Sequence, residues 1–214
     1  MNLIISLVML LCSIPLQNNE KGILVDKTIV EVEKEAITLL DLDAHSKIQI
    51  VLSEGPVSLY KIGDSGFINA MINLMINREL VSQELRKEKK YKPTLYNKEA
   101  ENLFIKTKAK FSNAKDFEKF LSDINMNETE FKKTLSVYIM IDDFINKITE
   151  EKIKIDEDEL VKYMQANGIV TPADTETQNK YRNELRAEKK KNYASQYLEE
   201  LKNRYRIRYL YVPK

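Results

Sequence analysis

The chain has 214 residues, of which 43% are hydrophobic and 31% are charged, so it can bury a core within one domain or one extended module. Its 34 Lys and Arg residues nearly balance its 33 Asp and Glu residues, and the net charge of +1 argues against a general nucleic-acid binder, which usually carries a strong basic excess. The composition, with only 5 Gly and 5 Pro, also argues against a Gly-rich phosphate loop and against a long β-sandwich.

An apolar segment of about fourteen residues, Leu3 to Leu16, comes first in the chain. It is shorter than the roughly 20 residues that a membrane-spanning helix needs, and it has the length of the hydrophobic part of a signal peptide. We therefore predict an exported protein with residues 1–20 as a signal peptide or apolar leader; the alternative is a buried N-terminal helix. The only cysteine, Cys12, lies in this segment. Lipidation of Cys12 is a further alternative, although Leu11 is large where a small residue is expected before an acylated cysteine.

Two short strands and the start of a helix are predicted between Val25 and Asp43. Alternating side chains at residues 28–33 have the period of a half-buried strand, and a tight turn near residues 33–35 leads to a second strand. Thr38 is the predicted N-cap of the helix, with Asp41 at the third helical position of a capping box.

Helices are predicted for most of the remaining chain. Apolar residues at helical spacing, Asn and Asp caps and Gly or Pro stops place them at about 38–53, 67–90, 98–111, 116–124 and 127–147, in a short segment from Asp156 to Asn167–Gly168, and at about 173–204. The last segment, 205–212, alternates like a strand. Because a terminal strand needs a partner for its backbone groups, we predict that it pairs with residues 27–33.

This order of elements resembles the N-terminal chaperone module of the SurA family of periplasmic folding factors. The resemblance is carried by the strings DKTIVEVEKEAITLLDL at 26–42 and INLMINRELVSQEL at 72–85, and by the F-x-x-x-L pattern at 117–121. The chain departs from the family at Glu31 and Glu33, where small or apolar residues and Asn are usual. Relatives with isomerase activity carry a parvulin-type prolyl isomerase domain after the segment that corresponds to Gly168, whereas this chain continues through Thr171–Pro172 directly into the long helix.

The resemblance implies a mainly α fold, with a SurA N-terminal-like helical module at residues 21–168 and a long helix and strand at 169–214 that pack back on it. It also implies an ATP-independent periplasmic holdase without a cofactor or isomerase activity. Its partners would be unfolded polypeptides, chiefly outer-membrane proteins, with no nucleic acid and with membrane contact only through the leader. Apolar and amphipathic side chains at helical spacing are the candidate client-binding residues; they are Met71, Ile72, Met75, Tyr138, Ile141 and Ile145.

The histidine and the charged runs are better explained by ordinary structural roles than by ligand sites. His45, the only histidine, is predicted to form a surface pair with Asp41 rather than a metal site. The acidic run at 156–159 lacks the glycine and spacing of a calcium loop and is better explained as a helix N-terminus. The basic runs at 86–92 and 186–191 are interleaved with Glu and are predicted to be solvated helix faces. The alternative to a chaperone is an exported structural or adaptor protein that binds one dedicated envelope partner.

Overall fold

The computed structural model describes residues 26–88, 91–169 and 174–211. The fold is mainly α-helical with a small antiparallel sheet, which confirms the predicted fold class. The predicted leader with Cys12 and the Thr171–Pro172 turn lie outside the described residues. The strands are β1 Thr28–Val32, β2 Glu35–Thr38 and β3 Ile207–Tyr209; the helices are α1 Leu39–Ser53, α2 Ser65–Lys87, α3 Asn97–Lys108, α4 Ala114–Asp123, α5 Glu128–Lys152, α6 Glu157–Ala166 and α7 Thr175–Arg204, with 3₁₀ helices at Pro56–Gly63 and Pro93–Tyr96.

The sheet joins the two ends of the described chain. Its strand order is β2-β1-β3, and β1 pairs antiparallel with both neighbours. Val30 lies opposite Tyr209 and Val32 lies opposite Ile207, which confirms the predicted pairing of the first and last strands. β3 ends earlier than predicted because the backbone N–H groups of Leu210 and Tyr211 both donate to the carbonyl of Ile29, at 2.8 and 3.2 Å, and this shared acceptor interrupts the regular ladder.

Local capping signals fix most helix starts. Thr38 and Asp41 form the predicted capping box of α1, and Asn127 and Glu130 form that of α5. Asp156 caps α6, as expected for an acidic run at a helix N-terminus. The 3₁₀ helix Pro56–Gly63 was not predicted; it follows Gly55, whose positive φ of 92° turns the chain out of α1.

Two apolar clusters form the core. The first joins the sheet to α2, α5 and α7, and includes Ile29, Val30 and Leu201, each 0% exposed. The second lies between α1, α3, α4 and α5 and is rich in phenylalanine; Phe117 and Phe131 are fully buried there. α5 contributes residues to both clusters, so it ties the two halves of the core together.

The long helix α7 is held to α5 and α6 by charged pairs as well as by apolar contacts. Leu185 is buried, and several basic side chains of this half of the helix pair with carboxylates, among them Lys190 with Glu150 of α5. Lys189 donates to both oxygens of Glu159 at 2.8 and 2.7 Å, and Arg182 pairs with Glu157 at 2.7 Å. The basic run at 186–191 therefore pairs in part within the chain. Among the described residues, none of the helices combines the length and the apolar character needed to cross a lipid bilayer.

Candidate functional site

A cleft runs between helices α2 and α5 and opens into two cavities. Arg78 and Ile141 line both cavities, one of about 240 Å³ and one of about 340 Å³. The smaller cavity is also lined by Ala36, Ile37, Asp41, His45, Met75, Glu79, Ser82, Val137 and Tyr138. The larger one is also lined by Leu74, Asn77, Val81, Asp142, Ile145, Asn146 and Leu198. We call these two cavities and their shared wall the α2–α5 cleft.

The structure brings four of the six predicted client-binding residues to this cleft. Met75 and Tyr138 line the smaller cavity, Ile145 lines the larger one and Ile141 lines both. The other two, Met71 and Ile72, belong to the first core cluster and line neither cavity. Five of the six side chains are buried, with exposed fractions of 2% to 7%, and only Ile145 is half-buried. Their role in client binding stays a prediction.

Arg78 is the charged centre of the cleft. Its guanidinium carbon lies 3.6 Å from the centroid of the Tyr138 ring, and its Nη2 donates to Gln49 Oε1 at 3.0 Å. Burial lowers the pKa of Arg78, although the group stays charged at neutral pH because the pKa of arginine begins so high. The aromatic face and the amide oxygen therefore replace part of the hydration that the cation loses on burial.

His45 and Tyr138 form a polar contact beside this cation. A hydrogen bond joins His45 Nδ1 and the Tyr138 hydroxyl. Burial, and then the charge of Arg78, lower the pKa of His45, while burial raises the pKa of Tyr138 to about 12. Both side chains are therefore neutral at pH 7. His45 and Asp41, predicted to form a surface pair, both line the smaller cavity, and the charge of Asp41 opposes the lowering of the His45 pKa. The hydrogen bonds differ from that prediction, because His45 Nδ1 pairs with Tyr138 and Asp41 Oδ2 accepts from the backbone N–H and the hydroxyl of Thr38.

Two carboxylates flank the cleft, one at each cavity. Partial loss of hydration raises the pKa of Asp142 at the larger cavity, and the charge of Arg78 opposes that shift. Burial likewise raises the pKa of Glu79 at the smaller cavity, where Arg86 opposes it. In the part of the chain that the structure describes, no group of three or more His, Cys, Asp or Glu side chains is placed to hold a metal ion.

Two polar atoms in the cleft have no hydrogen-bond partner among the described residues. They are the Asn77 side-chain oxygen Oδ1 and Arg78 Nη1, and both are buried. Asn77 and Arg78 were not predicted as site residues from the sequence, although the position of Arg78 in α2 indicates a special role. Arg78 lies four residues after Leu74 and three before Val81, so it is a charged residue on an apolar, inward-facing stripe of α2.

A second apolar opening lies beside the 3₁₀ helix Pro56–Gly63. A cavity of about 510 Å³ is bounded by the 3₁₀ helix Pro56–Gly63 and by the region around α4, including Phe111 and Phe120. Val57 and Tyr60 of this 3₁₀ helix are 83% and 79% exposed. Unlike the α2–α5 cleft, this cavity has no buried unpaired polar group among its lining residues.

No protein-family model matches this chain, and no curated protein sequence is significantly similar to it.

Proposed function

We propose that this chain is an ATP-independent holdase-type chaperone that binds extended segments of unfolded polypeptides in the α2–α5 cleft and has no isomerase or other catalytic activity. The observation that carries the proposal is the cleft itself, with two cavities that share one half-buried cation, Arg78, and with eight Met, Leu, Ile or Val side chains among the residues that line them. The flexible side chain of Met75, at the smaller cavity, can adapt to apolar groups of different shapes, which suits a site for varied sequences.

Two cavities that each take one apolar side chain of a client would give weak and reversible binding. Burying one Leu, Ile or Phe side chain of a client contributes about 1.5–3 kcal/mol, so two such side chains contribute roughly 3–6 kcal/mol before ordering costs. Association and the ordering of an extended chain offset part of that gain. We therefore expect dissociation constants of roughly 0.1 to 10 mM for short segments. A longer client gains affinity by presenting several such segments to the cleft.

The cleft is partly closed in the free protein. Met75 and Ile141 are 7% and 5% exposed, so a client side chain reaches them only when side chains at the rim move. Ile145 and Leu198 are half-buried at the larger cavity and are the natural residues to move. Client binding by this route would exchange internal apolar contacts for contacts with the client.

The client class and the location of the protein follow from the resemblance to the SurA family. We propose that the protein is exported to the periplasm and that its clients are outer-membrane proteins in transit. The support is the order of elements and the matching strings at 26–42 and 72–85, together with the apolar segment at Leu3 to Leu16. The first and last strands pair in one small sheet, so the two ends of the described chain belong to the same folded unit.

The test is light scattering of a denatured porin that is diluted into buffer with or without the purified protein. We expect suppression of aggregation at near-stoichiometric ratios without nucleotide, and also suppression with an unrelated unfolded client. Ile145→Ser, which removes an apolar wall of the larger cavity, should weaken the suppression. Ile105→Ser is the matched control, because Ile105 is 56% exposed on α3 and lines neither cavity of the cleft. A folded protein that protects neither client would contradict the proposal and favour an adaptor for one dedicated partner.

A further inference from the structure

The two unpaired polar atoms of the α2–α5 cleft form a donor and an acceptor on consecutive residues. Asn77 Oδ1 can only accept a hydrogen bond, and Arg78 Nη1 can only donate one. Most buried polar groups in folded proteins have a partner, because an unpaired one destabilises the state in which it is buried. A bound group that pairs with both atoms removes this cost, so the free protein is poised to accept such a group.

The charges around the pair restrict what that group is. An anionic ligand would meet Asp142 in the larger cavity and Glu79 and Asp41 in the smaller one. A cationic ligand would meet the guanidinium of Arg78 in both. A neutral group with one donor and one acceptor avoids both repulsions. In an extended chain the N–H and the C=O of one residue point to the same side, so its main chain offers such a neutral donor and acceptor, and side chains that alternate along that chain can enter apolar cavities.

We infer that Asn77 and Arg78 recognise the main chain of the bound segment, with a peptide N–H donating to Asn77 Oδ1 and a peptide carbonyl accepting from Arg78 Nη1. This inference rests on the proposed function. It gives the cleft a way to hold a polypeptide irrespective of its side chains, while the cavities on either side of Arg78 take apolar side chains. Because both atoms are excluded from water in the free protein, the client reaches them only after the rim residues Ile145 and Leu198 move.

The inference predicts opposite effects on stability and on binding at one position. Asn77→Leu removes an unpaired buried acceptor, so its melting temperature should equal or exceed that of the wild type. The same change removes a hydrogen bond from the complex, so the affinity for a polypeptide should fall ~10-fold, which corresponds to about 1.4 kcal/mol. Asn73→Leu is the matched control, since Asn73 lies one turn earlier on α2, is exposed and donates to the carbonyl of Asn69.

The probe is a fluorescently labelled, end-capped ten-residue peptide in which leucine and serine alternate, measured by anisotropy. A second peptide of the same sequence carries N-methyl groups on its four central peptide nitrogens and so lacks those donors. We expect N-methylation to weaken binding ~10-fold with the wild type and with Asn73→Leu, and to have little effect with Asn77→Leu. Asn77→Ala, a smaller change, should give the same loss of sensitivity and serves as the second variant if Asn77→Leu folds poorly.

The possible outcomes distinguish a failure of main-chain recognition by Asn77 from a failure of the proposed chaperone function. If the wild type binds the peptide but N-methylation weakens binding equally in the wild type and in both Asn77 variants, main-chain recognition by Asn77 is refuted and the proposed function stands. If Asn77→Leu lowers the melting temperature and leaves affinity unchanged, Asn77 is a structural residue and the inference fails. If the wild type neither binds the peptide nor suppresses aggregation, the proposed function fails as well.

Discussion

The contact between His45 and Tyr138 allows a quantitative test of the interior of the cleft. Tyr138→Phe removes only the hydroxyl, which leaves the buried Nδ1 of His45 without its partner. An unpaired buried polar group costs about 1–3 kcal/mol, and the ring that stacks on Arg78 is retained. We therefore expect Tyr138→Phe to lower the free energy of unfolding by about 1–2 kcal/mol.

A larger change at the same position should cost more. Tyr138→Leu also removes the aromatic face that lies 3.6 Å from the Arg78 guanidinium. A desolvated cation–π contact contributes roughly 0.5–2 kcal/mol. Together with the lost hydrogen bond this gives an expected loss of about 1.5–4 kcal/mol for Tyr138→Leu.

The assay is urea denaturation at pH 7.5, followed by far-UV circular dichroism, with the m-value compared among variants. The double variant His45→Leu/Tyr138→Phe removes both polar partners, so it should be less destabilised than the sum of the two single variants, by about 1 kcal/mol. A Tyr138→Phe protein whose stability lies within about 0.3 kcal/mol of the wild type would refute the reasoning, because the hydroxyl would then contribute nothing to the folded state.

Three further predictions concern pH, packing and charge. The pKa of His45 is lower in the folded protein than in the unfolded chain, so the unfolded chain binds the proton first as the pH falls. The free energy of unfolding should therefore fall between pH 7.5 and 5.5, and His45→Gln should reduce this fall. The same dependence of the free energy of unfolding on pH in both proteins, measured by urea titration, would contradict this. Leu201→Ala should lower the free energy of unfolding by about 2–5 kcal/mol because Leu201 is 0% exposed. Leu210→Ala, at a residue 50% exposed, should lower it by less than about 0.5 kcal/mol. An equally small loss for Leu201→Ala would contradict the packing of α7 against the core. Lys189→Met should lower the free energy of unfolding by at most about 1 kcal/mol, and by less at high salt, because Lys189 and Glu159 are partly exposed. A loss that does not change with salt would argue against an ionic interaction between the two residues.

The small sheet and the helix starts could be predicted because their signals are local. Thr38 and Asn127 each stand three residues before the carboxylate that completes their capping box. The pairing of the first and last strands followed from alternation at both ends of the chain and from the need of a terminal strand for a partner. The lengths of β3 and α5 were less accurate, since they depend on contacts made only in the folded protein.

The cleft could be predicted only in part. Apolar residues at helical spacing indicate that a side chain faces inward, but they do not distinguish the wall of a cavity from the closed core. This is why Met71 and Met75, one turn apart on α2, were both predicted to bind clients, although only Met75 lines the cleft. The partners of Arg78 and His45 come from distant parts of the chain: Gln49 is 29 residues from Arg78, and Tyr138 is 93 residues from His45.

The binding of clients in the α2–α5 cleft is tested most directly by site-specific photo-crosslinking. A photoreactive amino acid is placed at Leu198, which is half-buried at the larger cavity, and separately at the exposed residue Ile105 on α3. The protein is then irradiated with a denatured porin at the ratio that suppresses aggregation. Strong crosslinking from position 198 and little from position 105 is the expected result. Suppression of aggregation with no crosslink from position 198 would show that clients bind elsewhere on the molecule.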